Sequence, residues 1–121
     1  MRTLNFLLLL SFISTLNAGV PIHWQQRYAT EIVTAYEVHY AIPHHELLNT
    51  LMCESHLQPR AKNLADSHGG SHGIAMISAG SHPTITRTQM YDPIFSINWA
   101  AKQFSLGHAH MWSCFKGADT S

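Results

Sequence analysis

Leu47-Leu48-Asn49-Thr50-Leu51-Met52-Cys53-Glu54-Ser55-His56-Leu57-Gln58-Pro59 sets an acidic residue among leucines. On a helix, Leu47, Leu48, Leu51 and Met52 share one side, three and four residues apart, and supply a buried face. Pro43 suits the first turn of that helix, because its missing N–H would have no helical partner there. Pro59 ends it, since the residue before a proline is pushed out of helical geometry. Glu54, seven residues after Leu47 and three after Leu51, falls on the leucine side. Burial and the negative end of the helix dipole would both disfavour its charged form, leaving a carboxyl that can deliver a proton and take one back. The plainer alternative is an edge position, with Glu54 paired to a basic neighbour such as Arg60.

On the N-terminal side, Trp24, Tyr28, Ile32, Tyr36 and Tyr40 recur every four residues, which predicts a helix over His23 to Tyr40 with an aromatic packing stripe. On the C-terminal side, residues 62–73 hold three glycines, two serines, two histidines and Asp66 without helical period. They are expected to form an exposed loop or small hairpin, where binding residues commonly sit. Residues 73–78, Gly-Ile-Ala-Met-Ile-Ser, are too few to separate a strand from a tight turn. Asp92-Pro93 reads as a helix start, an N-cap followed by proline at the first position. Ile94, Ile97, Ala101 and Phe104 carry the period onward, and Gly107 is the expected stop.

Across 121 residues, 45% are hydrophobic and 12% charged, enough apolar material for one core and one domain. Residues 1–18 read as a signal peptide: Arg2, an apolar run from Phe6 to Leu16, then Asn17-Ala18 before Gly19. The apolar run is short for a bilayer span, which needs about 20 residues, so no stable membrane anchor is expected after cleavage. The mature domain, 19–121, would be exported to the periplasm or secreted. Without Arg2 it carries six Lys and Arg against seven Asp and Glu, none clustered, which argues against nucleic acid as a partner. Cys53 and Cys114 are either bridged, as export favours, or a pair of buried thiols. A bridge closing a loop of about 60 residues would stabilise by roughly 4 kcal/mol in the chain-entropy model. Ten histidines raise the question of a metal, through His68 and His72 or His108 and His110, but no zinc signature is present and none is expected.

Three segments carry a resemblance. Cys53-Glu54-Ser55-His56-Leu57-Gln58-Pro59 is similar to the "E-S-x-x-x-P" opening of the lytic transglycosylase family. Ser71-His72-Gly73-Ile74-Ala75-Met76-Ile77 is similar to its "S-x-G-L-M-Q-I" segment, and Tyr91-Asp92-Pro93-Ile94-Phe95-Ser96-Ile97 to its "x-D-P-x-x-N-I". They occur in order between about Ala41 and Phe104. The resemblance implies a mostly α, lysozyme-like single domain with a small loop or hairpin beside a cleft, acting on peptidoglycan glycan strands with neither metal nor other cofactor. It makes Glu54 the acid and base, with Ser55 orienting the glutamate or the sugar. Ser71, Gly73, Ile74, Met76, Ile77 and Gln103 would contact substrate, Gly73 by letting backbone approach the glycan. Trp112-Ser113-Cys114 would close the domain.

Two departures stand out. The family's glutamine is Met76, and a frequent cleft tyrosine is Gln103, so subsite preference or rate is expected to differ. A hydrolase usually needs two flanking carboxylates. The family resembled manages with one, because the sugar's own 6-hydroxyl attacks and leaves a 1,6-anhydro end. Asp66 is the nearby candidate for a second carboxylate, with a turn residue bonding its own backbone as the plainer account. A wall-binding domain without turnover is the further alternative. Small size, by analogy, suits local wall opening for an envelope-spanning secretion or conjugation machine or for phage entry.

Overall fold

A computed structural model describes residues 22–66 and 68–117, with side chains from residue 25 onward. The expected signal, 1–18, and the side chain of Trp24 lie outside the described residues. Among the described residues, four α-helices and a three-stranded antiparallel sheet make a mostly helical domain: α1 (Ile22–His39), α2 (Glu46–Ser55), β1 (Lys62–Asn63), β2 (Ser71–His72), β3 (Ile77–Ser78), α3 (Arg87–Tyr91) and α4 (Pro93–Ser105), then a 3-10 turn (Ala109–Met111). Among the described residues, no helix is long and apolar enough to cross a membrane.

The first helix forms where its period predicts, with its buried face turned slightly from the aromatic stripe. Ala29, Ile32 and Val33 enter the core, while Tyr28, Tyr36 and Tyr40 are half-buried around it. Tyr40 reaches α4, donating its hydroxyl to Asn98 Oδ1 at 2.9 Å. Burial first, then Tyr40 and Asp92, push the Tyr36 hydroxyl above its ordinary pKa of 10.0.

α2 begins three residues later than Pro43 implies. Ala41, His44 and His45 all take left-handed backbone angles, and Pro43 instead accepts from the Glu46 N–H in the preceding turn. The helix has no cap from its own flank, as His45 makes no side-chain cap bond. Glu37, a carboxylate only 4% exposed on α1, takes that role from across the interface. Its Oε2 accepts from the Leu48 N–H at 3.0 Å, in the first turn of α2, and its Oε1 lies 2.9 Å from His45 Nδ1. An anion suits a helix N-terminus, where free N–H groups and the dipole meet. Glu37→Ala is expected to lower stability by about 2–3 kcal/mol, mostly through the one bond to the Leu48 N–H, because the His45 side chain is 65% exposed, and Glu37→Gln by less. Denaturant midpoints measure both, and an unshifted Glu37→Ala midpoint would refute the capping role.

The buried face of α2 is Leu47, Thr50, Leu51 and Ser55, so Met52, at 38% exposure, is not a core residue and Leu48 only partly is. The helix ends as expected before Pro59, through a left-handed His56 whose N–H bonds the Met52 carbonyl.

The 62–73 segment is a hairpin, with Lys62 opposite His72 and Asn63 opposite Ser71. β3 then pairs on the far side of β2. The short helix α3 has no apolar period, but Thr86 and Gln89 form a reciprocal capping box that nucleates it. The threonine and glutamine three apart are the sequence signal for it. α4 starts as Asp92-Pro93 predicts, Asp92 accepting from the Ile94 and Phe95 N–H groups, and the chain leaves it through Gly107 at φ +84.

Candidate functional site

Residues 73–78 are decided by distant side chains. The Ser55 hydroxyl donates to the Ile74 carbonyl at 2.7 Å and is shared with the Leu51 carbonyl at 3.1 Å. Ala75 is held at both ends, its N–H by Ser96 Oγ at 2.9 Å and its carbonyl by the Trp112 indole N–H at 2.7 Å. Helices α2 and α4 and the C-terminal segment thus fix one turn. Met76, left-handed at φ +48, leaves that turn half-buried against the cleft, and Ile77 returns the chain to strand.

A cleft of about 530 Å³ lies over this turn. α2 contributes Glu54, half-buried. The hairpin contributes Asn63, Asp66 and Ser71, and Met76, Trp99, Met111 and Trp112 supply apolar surface. Glu54 stands at the edge of the leucine face rather than within it, because the buried arc passes through Ser55. Its setting is more polar than the sequence suggests: Oε2 accepts from the Cys114 N–H at 3.0 Å and from Ser113 Oγ at 3.3 Å. Arg60 is exposed and makes no ion pair with it. Oε1 makes no hydrogen bond to the described residues.

Asp66 also lines the cleft and does not simply bond its own backbone. Ser71 Oγ donates to its Oδ2 at 2.5 Å and Asn63 Nδ2 approaches its Oδ1 at 3.5 Å. The cleft therefore carries two carboxylates, one from a helix end and one from the hairpin. The period of two in β2 sends Ser71 to the cleft and His72 the other way. His72, 4% exposed, does not border the cleft. Its Nε2 donates to the Gly69 carbonyl at 2.7 Å, which leaves Nδ1 to accept the Tyr91 hydroxyl at 2.6 Å.

Five other expected contacts are displaced. Ser55 is buried and ties backbone rather than orienting the glutamate or a sugar. Ile74 and Ile77 are core residues, at most 1% exposed. Gly73 does permit close approach, but to the Met90 carbonyl of α3, where a Cβ would lie only 1.8 Å from that oxygen. Gln103 does not line the cleft and bonds His108 Nδ1 through Oε1 at 3.0 Å. Ser71 and Met76 do line the cleft.

Trp99 and His82 belong to no motif, and Trp99 falls between the periodic positions of α4. Trp99 stands edge-on to His82 at 4.9 Å and to Trp112 at 5.7 Å between ring centres, and all three line the cleft. Such a wall suits ligands with broad apolar faces and polar rims. Cys53 and Cys114 are bridged, with Cα atoms 6.0 Å apart. Among the described residues no group of three or more His, Cys, Asp and Glu side chains is placed to hold a metal ion.

No protein-family model, no curated protein and no solved structure matches the chain.

Proposed function

We propose that this domain is a peptidoglycan lytic transglycosylase with a lysozyme-like fold, exported to the periplasm or secreted, cutting the β-1,4 bond between N-acetylmuramic acid and N-acetylglucosamine. The observation that carries the reading is Glu54 itself. It is half-buried at the end of α2 on a cleft wall, with one oxygen held by two donors and the other open. That is the arrangement a group needs to pass a proton repeatedly at a fixed point. Glu54 gives its proton to the leaving glycosidic oxygen as the C1–O bond breaks, and the substrate N-acetyl group assists at C1. The carboxylate then takes the proton of the muramic acid 6-hydroxyl as that oxygen bonds C1, which closes the 1,6-anhydro ring and restores the acid. No cofactor enters this cycle. The Trp99–His82 wall supports a sugar-binding cleft, and the Cys53–Cys114 bridge is compatible with export.

Asp66 favours a second reading, in which a lysozyme-type hydrolase uses it as base or nucleophile, because it shares the cleft and is oriented by Ser71 and Asn63. Mass spectrometry of digested peptidoglycan separates the two: anhydro ends mean transfer, and reducing ends mean hydrolysis. A wall that is bound but yields no soluble fragments would mean a binding module.

Trp99→Ala is expected to raise KM for soluble wall fragments about tenfold with little change in kcat, the worth of one aromatic face. Trp99→Phe should keep most of the affinity. Steady-state kinetics test this, and an unchanged KM in Trp99→Ala would remove Trp99 from the binding surface.

A further inference from the structure

Glu54 is tied to the C-terminal segment twice. Its Oε2 accepts from the Cys114 N–H and the Ser113 hydroxyl, and the residue immediately before it, Cys53, is covalently joined to Cys114. The same bridge that closes a chain separation of 61 residues therefore holds a hydrogen-bond donor against the carboxylate beside it. The turn is anchored on either side, Trp112 being buried and fastened to Ala75 and Phe115 packing on Phe104 and bonding the Trp112 carbonyl, but between them Ser113 is exposed and Cys114 half-exposed. Cys53 is exposed, so a small dithiol can reach the bridge. The core under the cleft is built from Ile32, Leu47, Leu51, Ile74 and Ile97 and does not include either sulfur.

We propose that Ser113 and Cys114 are positioning residues for Glu54, and that the Cys53–Cys114 bridge makes glycan cleavage conditional on oxidation. This inference rests on the reading of Glu54 as the acid. A dithiol reductant attacks one sulfur of the bridge as thiolate, forms a mixed disulfide, and closes on itself as its second thiolate displaces the protein sulfur. Two electrons and two protons pass to the protein, which gains two thiols, while the reductant becomes a cyclic disulfide. Ser113 and Cys114 are then held only through Trp112 and Phe115, and a small shift of the exposed turn between them is enough to take the donors off Oε2 and loosen the carboxyl's orientation.

The test compares the full chain, oxidised and reduced by dithiothreitol, at a temperature where both stay folded. Reduction is expected to lower kcat about 100-fold, the cost of misplacing a catalytic group by about 1 Å, with KM unchanged and activity restored by reoxidation. Amide hydrogen exchange is read alongside: the Cys114 N–H should lose protection on reduction, while those of Ile97 and Ala100 keep theirs. Ser113→Ala, in the oxidised chain, should lower kcat about 3- to 10-fold, the worth of one hydrogen bond, and Ser113→Thr should restore it. Reduced protein that is folded and cleaves at the oxidised rate would overturn the gate, as would loss of protection throughout the core, which would make the bridge a support of the whole fold. If the oxidised chain releases no wall fragments, the assignment of Glu54 itself has failed, a result distinct from activity that ignores the bridge.

Discussion

Glu54→Gln should reduce release of soluble peptidoglycan fragments by about 1,000-fold, within the range general acid–base groups contribute, while leaving the folded domain and its binding to the wall intact. Glutamine has nearly the same shape as glutamic acid, and its carbonyl oxygen can still accept from Cys114 N–H and Ser113 Oγ, the two donors that hold Oε2. What it lacks is a proton to give to a glycosidic oxygen. The comparison therefore isolates chemistry from structure, which a change to alanine would not. Turbidity clearing and chromatography of released fragments measure the rate, and circular dichroism measures the fold. A Glu54→Gln protein that digests the wall as fast as its parent would end the proposal. Asp66→Asn adds the second axis. If the substrate's own hydroxyl attacks, Asp66→Asn should lose little beyond what a loosened hairpin costs; if Asp66 is base or nucleophile, its loss should approach that of Glu54.

Gly73→Ala is expected to be the most damaging single-methyl change to the fold, lowering stability by about 3–4 kcal/mol or preventing folding. Two costs add. The backbone at Gly73 sits at φ +83, a left-handed angle that costs an L-residue about 1–2 kcal/mol. The added Cβ would also lie 1.8 Å from the Met90 carbonyl oxygen and 2.8 Å from its carbon, so α3 must move, an overpacking cost of about 1–3 kcal/mol. Since the Gly73 N–H bonds the Ala61 carbonyl at 2.7 Å, the hairpin would shift with it. Thermal or urea unfolding measures the loss. A Gly73→Ala protein of parental stability would show that α3 yields easily, and the close packing of sheet on α3 would then not be a constraint. Gly107, also left-handed, has open space around its missing Cβ, so Gly107→Ala meets the backbone cost alone and serves as the control.

Helix α4 was legible because its signals are local: an Asp cap, a proline at the first position, an apolar period and a glycine exit lie within 16 residues of chain, Asp92 to Gly107. The first helix was legible through its period. The late start of α2 was not, because its N-terminus is capped by Glu37 from another helix and its preceding turn uses left-handed histidines. Residues 73–78 could not be assigned as strand or turn because their backbone partners are Ser55, Ser96 and Trp112, up to 37 positions away. Of the candidate site, Glu54, Asp66, Ser71 and Met76 reach the cleft. Ser55, Gly73, Ile74, Ile77 and Gln103 do not line it, since a short motif names positions without saying which side of the backbone faces the ligand. Trp99 and His82 carry no local signal, because they become neighbours only when α4 packs beside the segment after β3.

The sequence by itself determined a helix that carries Glu54 and stops before Pro59, the capped start of α4 and a polar, non-helical segment between them. These depend on spacing, caps and backbone preference, which act over a few residues. Only the tertiary structure decided that Glu54 sits at a polar edge with donors from residues 113 and 114, that Asp66 shares its cleft, and that Gly73 makes room for a helix. Each of those depends on groups brought within a few ångströms from distant parts of the chain, and no local preference carries that distance.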